Sequence, residues 1–170
     1  MIDYKTILQP YDIIVVYNPR SLLHRLIYRI TEYKAGHVAL YYGHEEIVQA
    51  QSTGIKLHGL NKYTGKLVYV LRYREKLIPA QGQMIDCYVK ESINKEYAFL
   101  QLVLLWVKYT FRLSHIPDVS KKAMICSEFV ANCYINANID LCAKKKSHEV
   151  VPSDIFNSPK LDHIFSGIIE

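Results

Sequence analysis

The chain has 170 residues, half of them hydrophobic and 22% charged, enough to bury a core in one domain and too apolar for a disordered tail. Seven Gly and six Pro exclude collagen-like and low-complexity architectures. The net charge of +5 favours an anionic surface. Without a motif, an aromatic–basic repeat or a basic stripe it does not argue for nucleic acid, and no specific nucleic-acid partner is expected.

The N-terminal stretch MIDYKTILQPYD lacks both the basic start and the long apolar core of a secretory signal. A cytoplasmic location with free thiols is therefore expected, and the Lys-, Ile- and Tyr-rich composition suits a viral or bacterial protein. No repeat, linker or low-complexity tract divides the chain, so residues 1–170 read as a single domain. Asp12 to Tyr17 (DIIVVY) is a continuous apolar run, which predicts a buried strand. Pro19 and Ser21 open a helix. There Leu22, Leu23, Leu26, Ile27 and Ile30 recur at helical spacing, with Arg20, Arg25 and Arg29 on a basic outer face. Gly36 starts a strand, HVALYYG; Gly43 to Glu46 turns the chain, and Glu46 to Gln51 (EIVQAQ) returns as its hairpin partner. Gly54 to Leu60 reads as a short strand. Lys66 to Arg74 (KLVYVLRYR) alternates in strand fashion.

The second half reads as mostly helical. Pro79 suits a first helical turn, and Met84, Ile85, Tyr88 and Val89 mark an apolar stripe behind it. A further helix is expected from about Glu96 to Leu113. Its uninterrupted apolar run, Leu102 to Val107, is bracketed by Gln101 and Lys108 and falls far short of the roughly 18 to 20 residues that span a bilayer. It is read as a buried or interfacial helix. A polar loop follows from Ser114 to Lys122, then a helix from about Cys126 to Asn136 with Phe129, Val130, Cys133 and Tyr134 on its apolar side. Lys144, Lys145 and Lys146 form an exposed basic loop, and Pro152-Ser153-Asp154 starts a short terminal turn or helix. Strands gathered ahead of helices predict an α+β fold.

The four Cys (87, 126, 133 and 142) form no CxxC pair, which argues against a zinc ribbon, and no metal or organic cofactor is expected. Cys126 is the thiol with a suggestive position. At a helix N-terminus the macrodipole lowers a thiol pKa, and outward-facing amides there can hold an oxyanion. The alternative is a small buried hydrophobe, the ordinary role of a free Cys. His37 opens the HVALYYG strand and can accept a thiol proton near neutral pH; otherwise it is one more satisfied His among seven. A nucleophile–base pair needs a third group to orient the imidazole. The hairpin returns Gln49 towards His37, with Gln51 as the backup on the same strand face. A solvent-facing strand residue is the other reading of Gln49.

The run YDIIVV, a helix, then GHVALYYG-HEEIVQA resembles the GD-I-V … HVGIYIG … V-x-A block of the NlpC-type cysteine peptidases. In ordinary members the catalytic Cys helix precedes that block; here ICSEFVANCY follows it. That order resembles the circularly permuted branch, the YiiX-type hydrolases and the lecithin:retinol acyltransferase-like proteins. CSEF, NKEYAF and VVPSDIF are similar to further segments of YiiX-type proteins, in the same order. The resemblance runs from about Gln9 to Phe156. It implies a papain-like fold, a small antiparallel sheet packed against helices with the His strand ahead of the Cys helix. It implies Cys126 as nucleophile, His37 as base and Gln49 as the third polar residue, where relatives often carry Glu or His. Tyr97 and Ser127 match family positions and are candidate substrate-binding residues; Glu128 also matches and is expected to be structural. Tyr11 and Asn94 stand where the family usually has Gly.

The activity implied is hydrolysis or acyl transfer at an amide or ester of a peptide-like or lipid substrate, through a Cys thioester. The apolar helix and scattered basic residues would suit association with a membrane surface, and they equally suit an ordinary core and solvated surface. The alternative function is a catalytically inactive structural or binding module that retains the fold, since Gln49 cannot supply the negative charge of a Glu.

Overall fold

A computed structural model of the chain describes residues 4–17, 36–117, 123–143 and 145–169. The helix expected at Leu22–Ile30, and the end of the polar loop before Cys126, lie outside these residues. After a short helix α1 (Tyr4–Ile7), strands β1 (Ile13–Tyr17), β2 (His37–Gly43), β3 (Glu46–Gln51), β4 (Gly54–Gly59) and β5 (Leu67–Tyr73) follow. A 3₁₀ turn, Leu60–Tyr63, sits between β4 and β5. Helices α2 (Pro79–Ser92) and α3 (Phe99–Phe111) flank the two-residue strand β6 (Glu96–Tyr97). The chain ends with β7 (Ala123–Met124), α4 (Cys126–Asn136), a 3₁₀ turn Ser147–Glu149, α5 (Pro152–Phe156) and β8 (Leu161–Ile168).

Six strands form one antiparallel sheet in the order β4-β3-β2-β1-β5-β8, and β6 pairs in parallel with β7. The fold is α+β, as the clustering of strands ahead of helices predicts. Side chains alternate across the strands, so the sheet carries two apolar clusters. Val15, Val38, Leu40, Val48 and Ala50 face α2 and α4, packing with Ile85, Val89, Phe129, Val130 and Cys133. Ile14, Val16, Ala39, Tyr41, Ile47 and Val68 face the other way, where the 3₁₀ turn supplies Leu60 and Tyr63.

Pro79 is the first-turn residue of α2, as its fixed φ and missing N–H allow. The stripe behind it is narrower than expected: Ile85 and Val89 are buried, but Met84 is exposed. Helix α3 buries Gln101 and Leu105 and exposes Leu100, Val103, Trp106 and Phe111. Among the described residues no helix is long and apolar enough to cross a membrane.

Two expectations are corrected. Glu96 and Tyr97 belong to a strand, not to the following helix; two residues are too few for a period to be read. The C-terminal segment adds a full edge strand to a half of the chain that reads as mostly helical. Its apolar residues Leu161, Ile164, Phe165, Ile168 and Ile169 are spaced as on a helix. The strand accommodates them because its register against β5 shifts between Val70 and Leu71, which interrupts the two-residue alternation.

Tyr11 and Asn94 both adopt left-handed backbone, with φ of 74° and 70°. The turns at these positions therefore need the conformation that Gly adopts freely. Tyr11 is held there by its N–H on Tyr41 O (2.7 Å), by Tyr134 Oη on its own carbonyl (2.7 Å) and by its phenol on Asp86 (3.0 Å).

Candidate active site

Cys126 is the first residue of α4. Ile125 is extended, and Glu128, three residues on, accepts the Ile125 N–H at 3.4 Å. This is the carboxylate half of a helix-start cap, and it gives Glu128 a structural role. Ser127 Oγ donates to Val150 O at 2.6 Å and is fully buried. Its side chain thus fastens the helix to Val150, the residue after the turn 147–149.

Cys126 is 1% exposed. Backbone groups of Val38, Ser127 and Cys126 itself hydrogen-bond the sulphur and favour the thiolate, as expected at a helix start. Burial is the larger effect, and the thiol pKa is raised. The lowered pKa expected from position alone is therefore corrected: the amides act in the expected direction but desolvation outweighs them. Cys133, on the same helix, is fully buried core.

His37 is the first residue of β2 and is partly buried. Its Nε2 lies 2.6 Å from Gln49 Oε1. Pairing of Leu40 with Val48 brings Gln49 to a diagonal position on the same sheet face as His37, within cross-strand reach. Gln49 is 1% exposed, and Tyr63 Oη donates to the same Oε1 at 2.6 Å. An amide oxygen only accepts, so this bond fixes the proton of neutral His37 on Nε2 and leaves the lone pair on Nδ1. Burial holds the His37 pKa down at about 4; the Gln49 bond opposes that shift, and Lys62 and Lys66 add to it. The ring is thus neutral at pH 7. Tyr63 is raised well above its ordinary pKa, first by burial and then by the charge of Cys126.

These contacts unite His37, Gln49 and Tyr63 on one sheet face. Cys126 sits on the opposite cluster and meets β2 at the backbone of Val38, the residue after His37. Among the described residues no hydrogen bond joins Cys126 to His37. Gln51 is not in the group: its amide contacts His58 Nε2 and accepts from Lys62 Nζ at 2.8 Å. The backbone of Tyr97 pairs with Met124, two residues before Cys126; its side chain lies outside what is described. Tyr63 escapes a sequence reading because it sits in a short turn with no periodic pattern.

No protein-family model and no curated protein matches the chain. Its structure is similar to the crystal structure of YiiX from Escherichia coli O157:H7, which is described as a metalloprotein. The TM-score is 0.72 and the identity 19%, over 95% of this chain and 99% of YiiX. The fold is YiiX-like. The sequence resemblance to the YiiX-type branch and the architecture therefore agree at the level of fold. A second group of side chains, His115, His148 and Glu149, gathers donors that could hold a metal ion. The YiiX-like fold thus carries two clusters with chemistry to offer, one built round the hairpin and one beside α3.

Proposed function

We propose that the chain is a permuted papain-like cysteine hydrolase or acyltransferase acting on amide or ester bonds of peptide-like or lipid substrates. The observation that carries this reading is the 2.6 Å contact of His37 Nε2 with Gln49 Oε1. It leaves Nδ1 as the basic nitrogen of the ring, while Cys126, a helix-start thiol held by three backbone groups, meets the same strand at Val38. With both groups neutral at pH 7, the proton moves during attack and not before it. The Cys126 S–H proton passes to His37 Nδ1 as sulphur bonds the carbonyl carbon. The backbone amides at Cys126 and Ser127 suit the developing oxyanion. The leaving amine or alcohol takes the proton from His37 as its bond to carbon breaks. Water or an acceptor amine or alcohol then cleaves the thioester, with His37 as base again.

The test is acylation by an activated ester, with mass spectrometry locating the acyl group among the four thiols. The wild type is expected to carry one acyl group on Cys126, and His37→Ala to carry none there. Acylation that follows exposure, on the exposed Cys87 and not on Cys126, would overturn the reading. It would favour a non-catalytic binding module, for which the 1% exposure of Cys126 is the specific observation.

Gln49 and Tyr63 act as positioning residues. Gln49→Ala is expected to lower turnover about tenfold, much less than loss of the thiol. Activity requires neutral His37, so the wild-type rate rises as pH climbs through about 4. The Gln49 bond favours the protonated ring, so Gln49→Ala should move this acid limb to still lower pH. Tyr63→Phe keeps the His37–Gln49 bond and should cost about 1 kcal/mol of stability, the worth of one hydrogen bond, with a smaller loss of rate. A pH–rate profile of the three proteins checks both; an unmoved acid limb in Gln49→Ala would remove Gln49 from the role.

The description of YiiX as a metalloprotein is a further lead. Two imidazoles and a carboxylate at His115, His148 and Glu149 are a fitting donor set for a zinc-class ion. An ion there would cross-link the loop after α3 to the turn 147–149. The thiol chemistry above needs no metal.

A further inference from the structure

We infer that His115, His148 and Glu149 form a structural binding site for a divalent transition ion of the zinc class. One ligand atom from each lies within 4.8 Å of the others. Tetrahedral zinc with bonds near 2.1 Å keeps its ligand atoms about 3.4 Å apart. The donors are therefore within a small side-chain adjustment of ligation. His148 and Glu149 are both 6% exposed, on the 3₁₀ turn 147–149, and form the fixed part. The His115 side chain, 52% exposed on the loop after α3, is the part able to swing.

The surroundings orient the carboxylate. Lys108 Nζ holds Glu149 Oε2 at 2.9 Å, while Oε1 accepts from Ile116 N at 3.3 Å and lies 2.8 Å from His115 Nδ1. Gln101 Nε2 donates to His148 O at 3.1 Å and ties the turn to α3. Such outer contacts fix a ligand's orientation. Lys108 is also a competing positive charge, as is Lys146, whose Nζ lies 3.3 Å from His115 Nε2. In the metal-free protein these contacts form a hydrogen-bond network around the Lys108–Glu149 ion pair; an ion takes the place of the His115–Glu149 bond. Because Val150, next along the turn, accepts from Ser127, the ion would stiffen the support of the Cys126 helix start. The inference does not depend on the thiol chemistry.

The experiment uses the full reduced chain, stripped by a chelator, and measures zinc affinity by competition with a chromophoric chelator. One equivalent is expected to bind with micromolar or tighter affinity, and His115→Ala to weaken it at least tenfold. His115 is half-exposed, so this variant should fold. Lys108→Met, which removes the competing charge, should bind several-fold tighter. Zinc at about 100 times its Kd should raise the wild-type Tm by roughly 5 °C or more, and this gain should vanish in His115→Ala. Binding unchanged in His115→Ala would assign the ion to the thiols or the other histidines and overturn the inference. So would the lack of any one-equivalent binding.

Discussion

Cys126→Ala is expected to abolish turnover, by at least about a thousandfold, while leaving the fold intact. The size follows from the role: without the sulphur no thioester forms, and only substrate binding and the helix-start amides remain to act on the carbonyl. The fold should survive because one buried atom is lost from a packed cluster, a change on the order of 1 kcal/mol. Cys133→Ala is the matched control. Cys133 lies two turns along the same helix, is fully buried and joins the same apolar cluster. Its loss should cost similar stability and leave the rate within about twofold. Turnover on an amide or ester series, with circular dichroism and Tm on each variant, reads both. Equal losses of rate in the two variants would mean that helix packing, not the thiol, sustains activity. Full turnover in Cys126→Ala would end the proposed mechanism.

The parts of the site that could be read from the sequence are those that rest on local pattern. HVALYYG and EIVQAQ alternate and flank a turn, so the hairpin and the approach of its ends follow from strand geometry. Cys126 at a helix start follows from the apolar positions after it. Alternation alone could not separate Gln49 from Gln51, since both face the same way; the register Leu40–Val48 and the contacts of Gln51 with His58 and Lys62 decide it. Burial of the Cys126 sulphur depends on how β2 meets α4, a long-range contact that no local pattern encodes. Tyr63 and the pair His115–Glu149 likewise join segments far apart in the chain. The last strand was hidden for a different reason: a register shift lets helically spaced apolar residues sit in a sheet.

The largest expected loss of stability comes from a pair remote from the thiol. Asp12 is 2% exposed, and Arg72 grips it with two bonds, Nε to Oδ1 at 2.8 Å and Nη2 to Oδ2 at 2.7 Å. Nη2 also donates to Ile7 O at 2.6 Å, and Gln9 N donates to Oδ2 at 2.8 Å. Burial raises the Asp12 pKa; the Arg72 and Gln9 bonds pull it down but do not fully offset the burial. Arg72→Met removes the main offset and strands a carboxylate inside the protein. The expected cost is about 3–5 kcal/mol, or a fall in Tm on the order of 10 °C for a chain of this size. The cost depends on pH through the ionisation of Asp12. In the variant the folded-state pKa of Asp12 climbs further above its unfolded value, so the penalty is fully present above that raised pKa. It fades as pH falls through the raised value towards the unfolded one, where the carboxyl is protonated in both states. The deficit against wild type should therefore shrink in acid. Asp12→Leu combined with Arg72→Met removes both charges together and should recover most of the loss. Urea melts of the four proteins of this cycle measure the coupling. A double variant no better than Arg72→Met would show that the strain lies in the lost Ile7 contact and packing, not in an uncompensated charge.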